Sequence, residues 1–264
     1  MRRRRSLVSL CLALLLVGAA AEGGRAQERD TQPANGESPF LRAHERTAPI
    51  TIDGRLDEPD WRHAPAASNF VQGRPTEGTP PPESTAVRVL FDDEAIYVGA
   101  RLYESDPDAI RDQLVRRDQG GQYDYIEFTI DPNRDRQTGY LFRIGAAGNE
   151  LDAFLFDDNR VDVDFDAVWR SATRQDSLGW TAELRIGYSQ FQYEPSDSTQ
   201  AWGVNFKRRR IESDSESYFA LVSRTVEGRV SQFGTLGNVD VPSSSQFLEL
   251  EPFFAPEFFR APSD

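Results

Sequence analysis

Hydrophobic and polar residues alternate with a period of two along most of the chain between positions 87 and 239, the pattern of strands that bury one face. Val87, Val89 and Phe91 alternate with Arg88 and Leu90, Asp92-Asp93-Glu94 supply a turn, and Ile96, Val98, Ala100 and Leu102 alternate with Tyr97, Gly99, Arg101 and Tyr103. That is a hairpin. Further strands are predicted over 123–130, 140–144, 150–156, 167–173, 180–186, 202–210, 218–223 and 233–239, with turns at Gly148-Asn149 and Ser177-Leu178-Gly179. Many short strands at regular spacing predict an all-β protein, an antiparallel β-sandwich of jelly-roll or immunoglobulin-like type. One or two short helices are expected within it: a capped turn at Asp57-Glu58-Pro59-Asp60-Trp61 and a helix over 109–115, capped from 105–108.

The ends of the chain read differently. Arg2, Arg3, Arg4 and Arg5 precede an apolar run over 7–17 and small residues up to Ala26, the make-up of an export signal over 1–26. Residues 27–47 lack a hydrophobic period and are expected to be a flexible lead-in, although Ile50-Thr51-Ile52 then forms a short strand. The sandwich is expected over 48–240. A Phe-rich tail over 241–264 carries Phe247, Phe253, Phe254, Phe258 and Phe259, more than a free soluble end would expose, and is expected either to pack back on the sandwich or to be the start of a barrel.

Composition narrows the partners. The formal net charge is −13, and cleavage after Ala26 would remove five arginines and one glutamate to leave −17. Such a surface repels nucleic acid and favours cations or neutral ligands. The sole cysteine, Cys11, lies inside the signal, so no disulfide or thiol site is expected beyond it. Acidic residues are so many that a paired-carboxylate hydrolase site cannot be picked out, and His44 and His63 have neither a partner serine nor metal-ligand spacing. No enzyme activity is expected.

Four tryptophans, Trp61, Trp169, Trp180 and Trp202, read as core. Arg143 lies mid-strand opposite or near Glu127, either as an ion pair on the outer sheet face or as a clamp for a ligand's hydroxyls. The run from Asp157 to Asp166 concentrates carboxylates, and Asp162, Asp164 and Asp166 are candidate calcium ligands, the alternative being a solvated acidic loop.

Five segments in order resemble the family 9 carbohydrate-binding modules. They are Ile52-Asp53-Gly54-Arg55-Leu56-Asp57-Glu58-Pro59-Asp60-Trp61, the hairpin of Val87 and Val98, Tyr125-Ile126-Glu127-Phe128-Thr129-Ile130-Asp131-Pro132, Trp180-Thr181-Ala182-Glu183-Leu184-Arg185-Ile186, and Phe233-Gly234-Thr235-Leu236. The resemblance implies a non-catalytic module that binds a sugar, often with calcium, and aligns Glu127, Arg143 and Asn205 with polar positions of the sugar site. The two tryptophans that hold the sugar in that family fall near Gly121 and Glu227, which are not aromatic. Arg116-Arg117-Asp118, the stretch from Asp131 through Thr138-Gly139-Tyr140, and Trp202-Gly203-Val204-Asn205-Phe206 further resemble modules that precede a large outer-membrane β-barrel in the same chain. That implies a periplasmic or outer-membrane location, or an extracellular one, and as an alternative role a docking or plug-like domain of a barrel transporter; the family 9 resemblance adds a second alternative, an accessory domain of a glycoside hydrolase, to which such modules are commonly attached.

Overall fold

The alternating segments fold into two sheets whose apolar faces meet. A computed structural model gives this arrangement, and the structure describes residues 38–194, 196 and 198–241. In chain order the elements are β1 (Phe40–Arg42), β2 (His44–Glu45), α1 (Pro59–His63), β3 (Val71–Arg74), β4 (Thr85–Phe91), β5 (Ala95–Tyr103), β6 (Tyr125–Asp131) and β7 (Gly139–Gly145). They continue as β8 (Glu150–Phe156), β9 (Arg160–Asp162), β10 (Trp169–Asp176), β11 (Gly179–Gly187), β12 (Gln200–Arg210), β13 (Ser215–Tyr218) and β14 (Gly234–Val239). The first sheet runs β1-β14-β12-β6-β7-β8-β9, with β13 and β3 extending from β12; the second runs β10-β11-β5-β4-β2. All pairings are antiparallel except β1 with β14 and β2 with β4.

One core fills the space between the sheets. Ile126, Phe128 and Ile130 of β6 and Trp202, Val204 and Phe206 of β12 face Val87, Val89, Val98, Ala100, Trp180 and Leu184 across it. Phe128 stacks between Phe142 and Phe206, with ring centroids 6.3 and 5.8 Å away, and all four tryptophans are buried as expected. Because side chains alternate, burying these residues obliges Tyr125, Glu127 and Thr129 to point out of the other side of β6. One end of the sandwich is closed by Arg208, whose guanidinium donates to the carbonyls of Ser84 and Tyr103 and to Glu104.

Four expectations change. Positions 40–45 are not lead-in but β1 and β2, parallel edge strands too short to show a period. Ile50-Thr51-Ile52 pairs with no strand; Ile50 and Ile52 pack on Trp61, and the Thr51 N–H donates to Glu58 at 2.9 Å. In place of a helix over 109–115 there is a single 3-10 turn, Pro107–Ala109, after which Asp112 bridges to Tyr123 and Leu114 is 75% exposed. Ile110 enters the core while Leu114, four residues on, does not, so no continuous helical face packs there. β13 stops at Tyr218 rather than at 223, because the Asn205 side chain takes both backbone groups of Ala220 and so replaces the ladder. The export signal and the Phe-rich tail lie outside the described residues.

Candidate functional site

The register of the first sheet draws one row of side chains across six strands. Val71, Tyr218, Lys207, Glu127, Arg143 and Leu151 are successive cross-strand partners from β3 through β13, β12, β6 and β7 to β8. Such neighbours stand close enough to interact side by side. Arg143 Nε donates to Glu127 Oε1 at 2.9 Å, and Arg229 Nη2 reaches Oε2 at 3.1 Å from the segment that crosses this face. The pair predicted from sequence is therefore present. Its carboxylate is 1% exposed, covered by cations rather than open to water.

Aromatic rings line the same row. The Arg143 guanidinium lies 4.2 Å from the Tyr125 ring centroid, and Lys207 Nζ sits 5.7 and 5.8 Å from those of Tyr125 and Tyr218 while pairing with Glu216 at 3.0 Å. Gly73 lies under the Tyr218 ring, where an added Cβ would stand 2.6 Å from Cε2, so only glycine lets this ring lie flat on β3. Burial alone would raise the Glu127 pKa, but Arg143, Lys207 and Arg229 overcome it and hold the carboxyl at about 2. Burial likewise pushes the Tyr218 hydroxyl up to about 12. At neutral pH the row is an ionised carboxylate under three cations, flanked by two neutral phenols.

Beside Tyr218 opens a groove of about 800 Å³, walled by residues 222–228 on one side and by Gln137, Asp157, Asp158 and Asn159 on the other. Asp158 fixes its far wall. The Asp158 carboxylate accepts the N–H groups of Arg229 and Ser231 at 3.0 and 2.8 Å and the Ser231 hydroxyl at 2.7 Å, while its carbonyl accepts the Val230 N–H at 3.1 Å. Gly228 has φ +91° and an added Cβ would lie 1.9 Å from Asp158 Oδ2, so the clamp requires glycine there. By seating residues 228–231, it places Arg229 over Glu127.

The other residues singled out from sequence lie apart from this row. Asn205 faces the same side as Glu127 but is 3% exposed, its amide engaged with Ala220, and it leaves the outward position on β12 to Lys207. Asp162, Asp164 and Asp166 are exposed along β9 and the turn after it; Asp162 accepts the Asp164 N–H at 3.0 Å, and Asp166 stands 3.7 Å from Arg117. Among the described residues, no three His, Cys, Asp or Glu side chains converge as metal ligands. Lys207, Arg229 and Tyr218 are not among the site residues the sequence predicts, and Asp158 reads there only as part of the acidic run. Lys207 alone left a signal, two positions beyond Asn205 on one strand face.

Against solved structures, the chain superimposes on a family 9 carbohydrate-binding module from Caldicellulosiruptor kristjanssonii in complex with cellotriose. The TM-score is 0.56 at 18% identity, over 81% of this chain and 100% of that one. The fold is that of a family 9 carbohydrate-binding module. A glucose complex from the same organism matches over the same spans at TM-score 0.56 and 16% identity. A candidate carbohydrate-binding protein from Bacteroides uniformis matches over 76% of this chain and 99% of its own, at TM-score 0.56 and 16% identity. No family profile and no curated protein matches the sequence. The stretches near Gly121 and Glu227, where the sequence resemblance places the tryptophan pair, hold no tryptophan, and the aromatic surface near Glu127 is Tyr125 and Tyr218.

Proposed function

We propose that the chain is an exported, non-catalytic carbohydrate-binding module whose sugar lies on the outer face of the first sheet, against Tyr125 and Tyr218 and beside the 222–228 groove. The observation that carries this reading is the Glu127–Arg143 pair on the outward face of a fold whose solved relatives hold glucose and cellotriose. Arg143, Lys207 and Arg229 spend only part of their donor capacity on Glu127 and Glu216, and the remainder suits sugar oxygens. The phenol faces supply apolar surface for a pyranose ring. A non-catalytic role fits the carboxylates: Glu127 is tied on both oxygens by arginines, which leaves it no proton to give.

Calorimetry with glucose and cellotriose tests the reading. Saturable binding is expected, with Arg143→Ala weakening it about tenfold through loss of charge-assisted hydrogen bonds. Absence of heat at millimolar sugar would overturn it.

Export rests on the basic and apolar segments within 1–26, and with it a periplasmic, outer-membrane or extracellular location. A second reading, docking or plug-like service to an outer-membrane barrel in the same polypeptide, is favoured by the missing tryptophan pair and the Phe-rich tail. Coding sequence continuing into alternating strands of about ten residues would support it. Calcium is tested by titrating the chain with the ion and following its thermal midpoint.

A further inference from the structure

On the opposite side of the sandwich, the outer face of the second sheet collects arginines. A groove of about 450 Å³ between the opening segment, residues 54–62, and the ends of β4, β5 and β10 is lined by Arg55, Arg62, Arg88, Arg101 and Arg174, with Tyr103 beside them. Two acids, Asp57 and Asp176, also line it, and Asp53 stands 3.9 Å from Arg55, so five positive charges meet three negative ones on a chain whose net charge is −13. Asp176 is already taken: its two oxygens accept from Arg101 at 2.6 and 2.8 Å, and it acts on Arg174 only at longer range. Arg88 donates to the Ala64 carbonyl at 3.2 Å. The guanidiniums of Arg62 and Arg174 are exposed and form no hydrogen bond or ion pair with any described residue.

Unpaired arginines gathered in one groove of an acidic protein point to an anion. The ligand's shape follows from the rest of the lining. The two free guanidiniums enter the lining from different elements, Arg62 from α1 and Arg174 from β10, and so present a row of two cations rather than a single point. Tyr103 is 41% exposed, with Arg101 lying 5.3 Å from its ring centroid. A bare inorganic anion uses neither the row nor the ring. A long polyanion would meet the repulsion of the whole acidic surface. A short chain of pyranose rings carrying carboxylates uses both: rings against Tyr103, and planar carboxylates facing planar guanidiniums, which match them two bonds at a time.

We infer that this groove is a second binding site, separate from the Glu127 face, for an acidic oligosaccharide whose carboxylates pair with Arg62 and Arg174. The test is calorimetry of the full chain with trigalacturonate at low salt, beside cellotriose and sodium acetate, for the native protein, for R62A/R174A and for R143A. Both arginines are exposed, so the double variant is expected to keep its fold, checked by its thermal midpoint. Trigalacturonate binding that falls on the order of tenfold or more in R62A/R174A, and is kept in R143A, supports the site. Raising the salt should weaken it as well, since exposed charges are screened. No trigalacturonate binding, binding unchanged in R62A/R174A, or acetate binding equally tightly would overturn it. Cellotriose judges the Glu127 face independently, because its binding is expected to be indifferent to R62A/R174A.

Discussion

The two outer faces of the sandwich each hide one glutamate, and the two are driven in opposite directions. On the first sheet, Glu127 lies under Arg143, Lys207 and Arg229 and is held at about 2, because the cations outweigh its burial. On the second, Glu183 of β11 is equally hidden, but it receives neutral donors: the Asp53 and Gly54 N–H groups at 3.0 and 2.8 Å and the Trp61 indole N–H at 3.1 Å. Burial raises it to about 7, helped by Glu58 and Asp53 nearby and only partly opposed by the backbone donors. Depth is shared between them. Sign follows from what stands above each carboxyl: charge on one face, folded backbone on the other. The first carboxylate organises a cationic surface; the second anchors the opening segment onto the sheet.

Breaking each arrangement should separate them. The largest effect is expected from Glu127→Ala, which strands three cations around an empty place and should cost about 3–5 kcal/mol in urea denaturation. Next is the pH profile. Glu183 has its pKa raised above the ordinary 4.5, so its contribution is complete below about 4.5 and is lost as pH rises through about 7. That loss should be about 3 kcal/mol, and Glu183→Gln should flatten the profile in that window. Glu127 is the reverse case: its contribution is present above about 4.5 and is lost as pH falls through about 2, a slope that Glu127→Gln should remove. The smallest change is expected from Asp176→Asn, which breaks an exposed pair with Arg101 and should shift stability by less than about 1 kcal/mol.

Much of the sandwich was legible because its strands send every second, apolar side chain into a hydrophobic cluster: β4, β5, β8 and β11 lie within two residues of their predicted positions. What escaped was set by partners distant in sequence. β1 and β2 exist because β14 and β4 offer them an edge, and strands of two or three residues carry no period of their own. The Glu127–Arg143 pair was readable because β6 and β7 form a hairpin. Arg229 reaches the same carboxylate from 102 residues further along, and Lys207, 80 residues on, stands beside it as a cross-strand neighbour, so only the Asp158 clamp and the register of β12 bring them there. Asn205 matched a family position, yet its amide is consumed by Ala220, a contact that alternation does not encode.

The Asp158 clamp also divides the molecule into a fixed chassis and an exchangeable part in the engineering sense. Residues 222–227 run between the end of the sheet and the seat at Gly228, and their side chains wall the groove without entering the main core. A library randomised over this stretch, with Tyr218, Gly228 and Asp158 left alone, would change what the groove accepts while the two sheets underneath stay as they are.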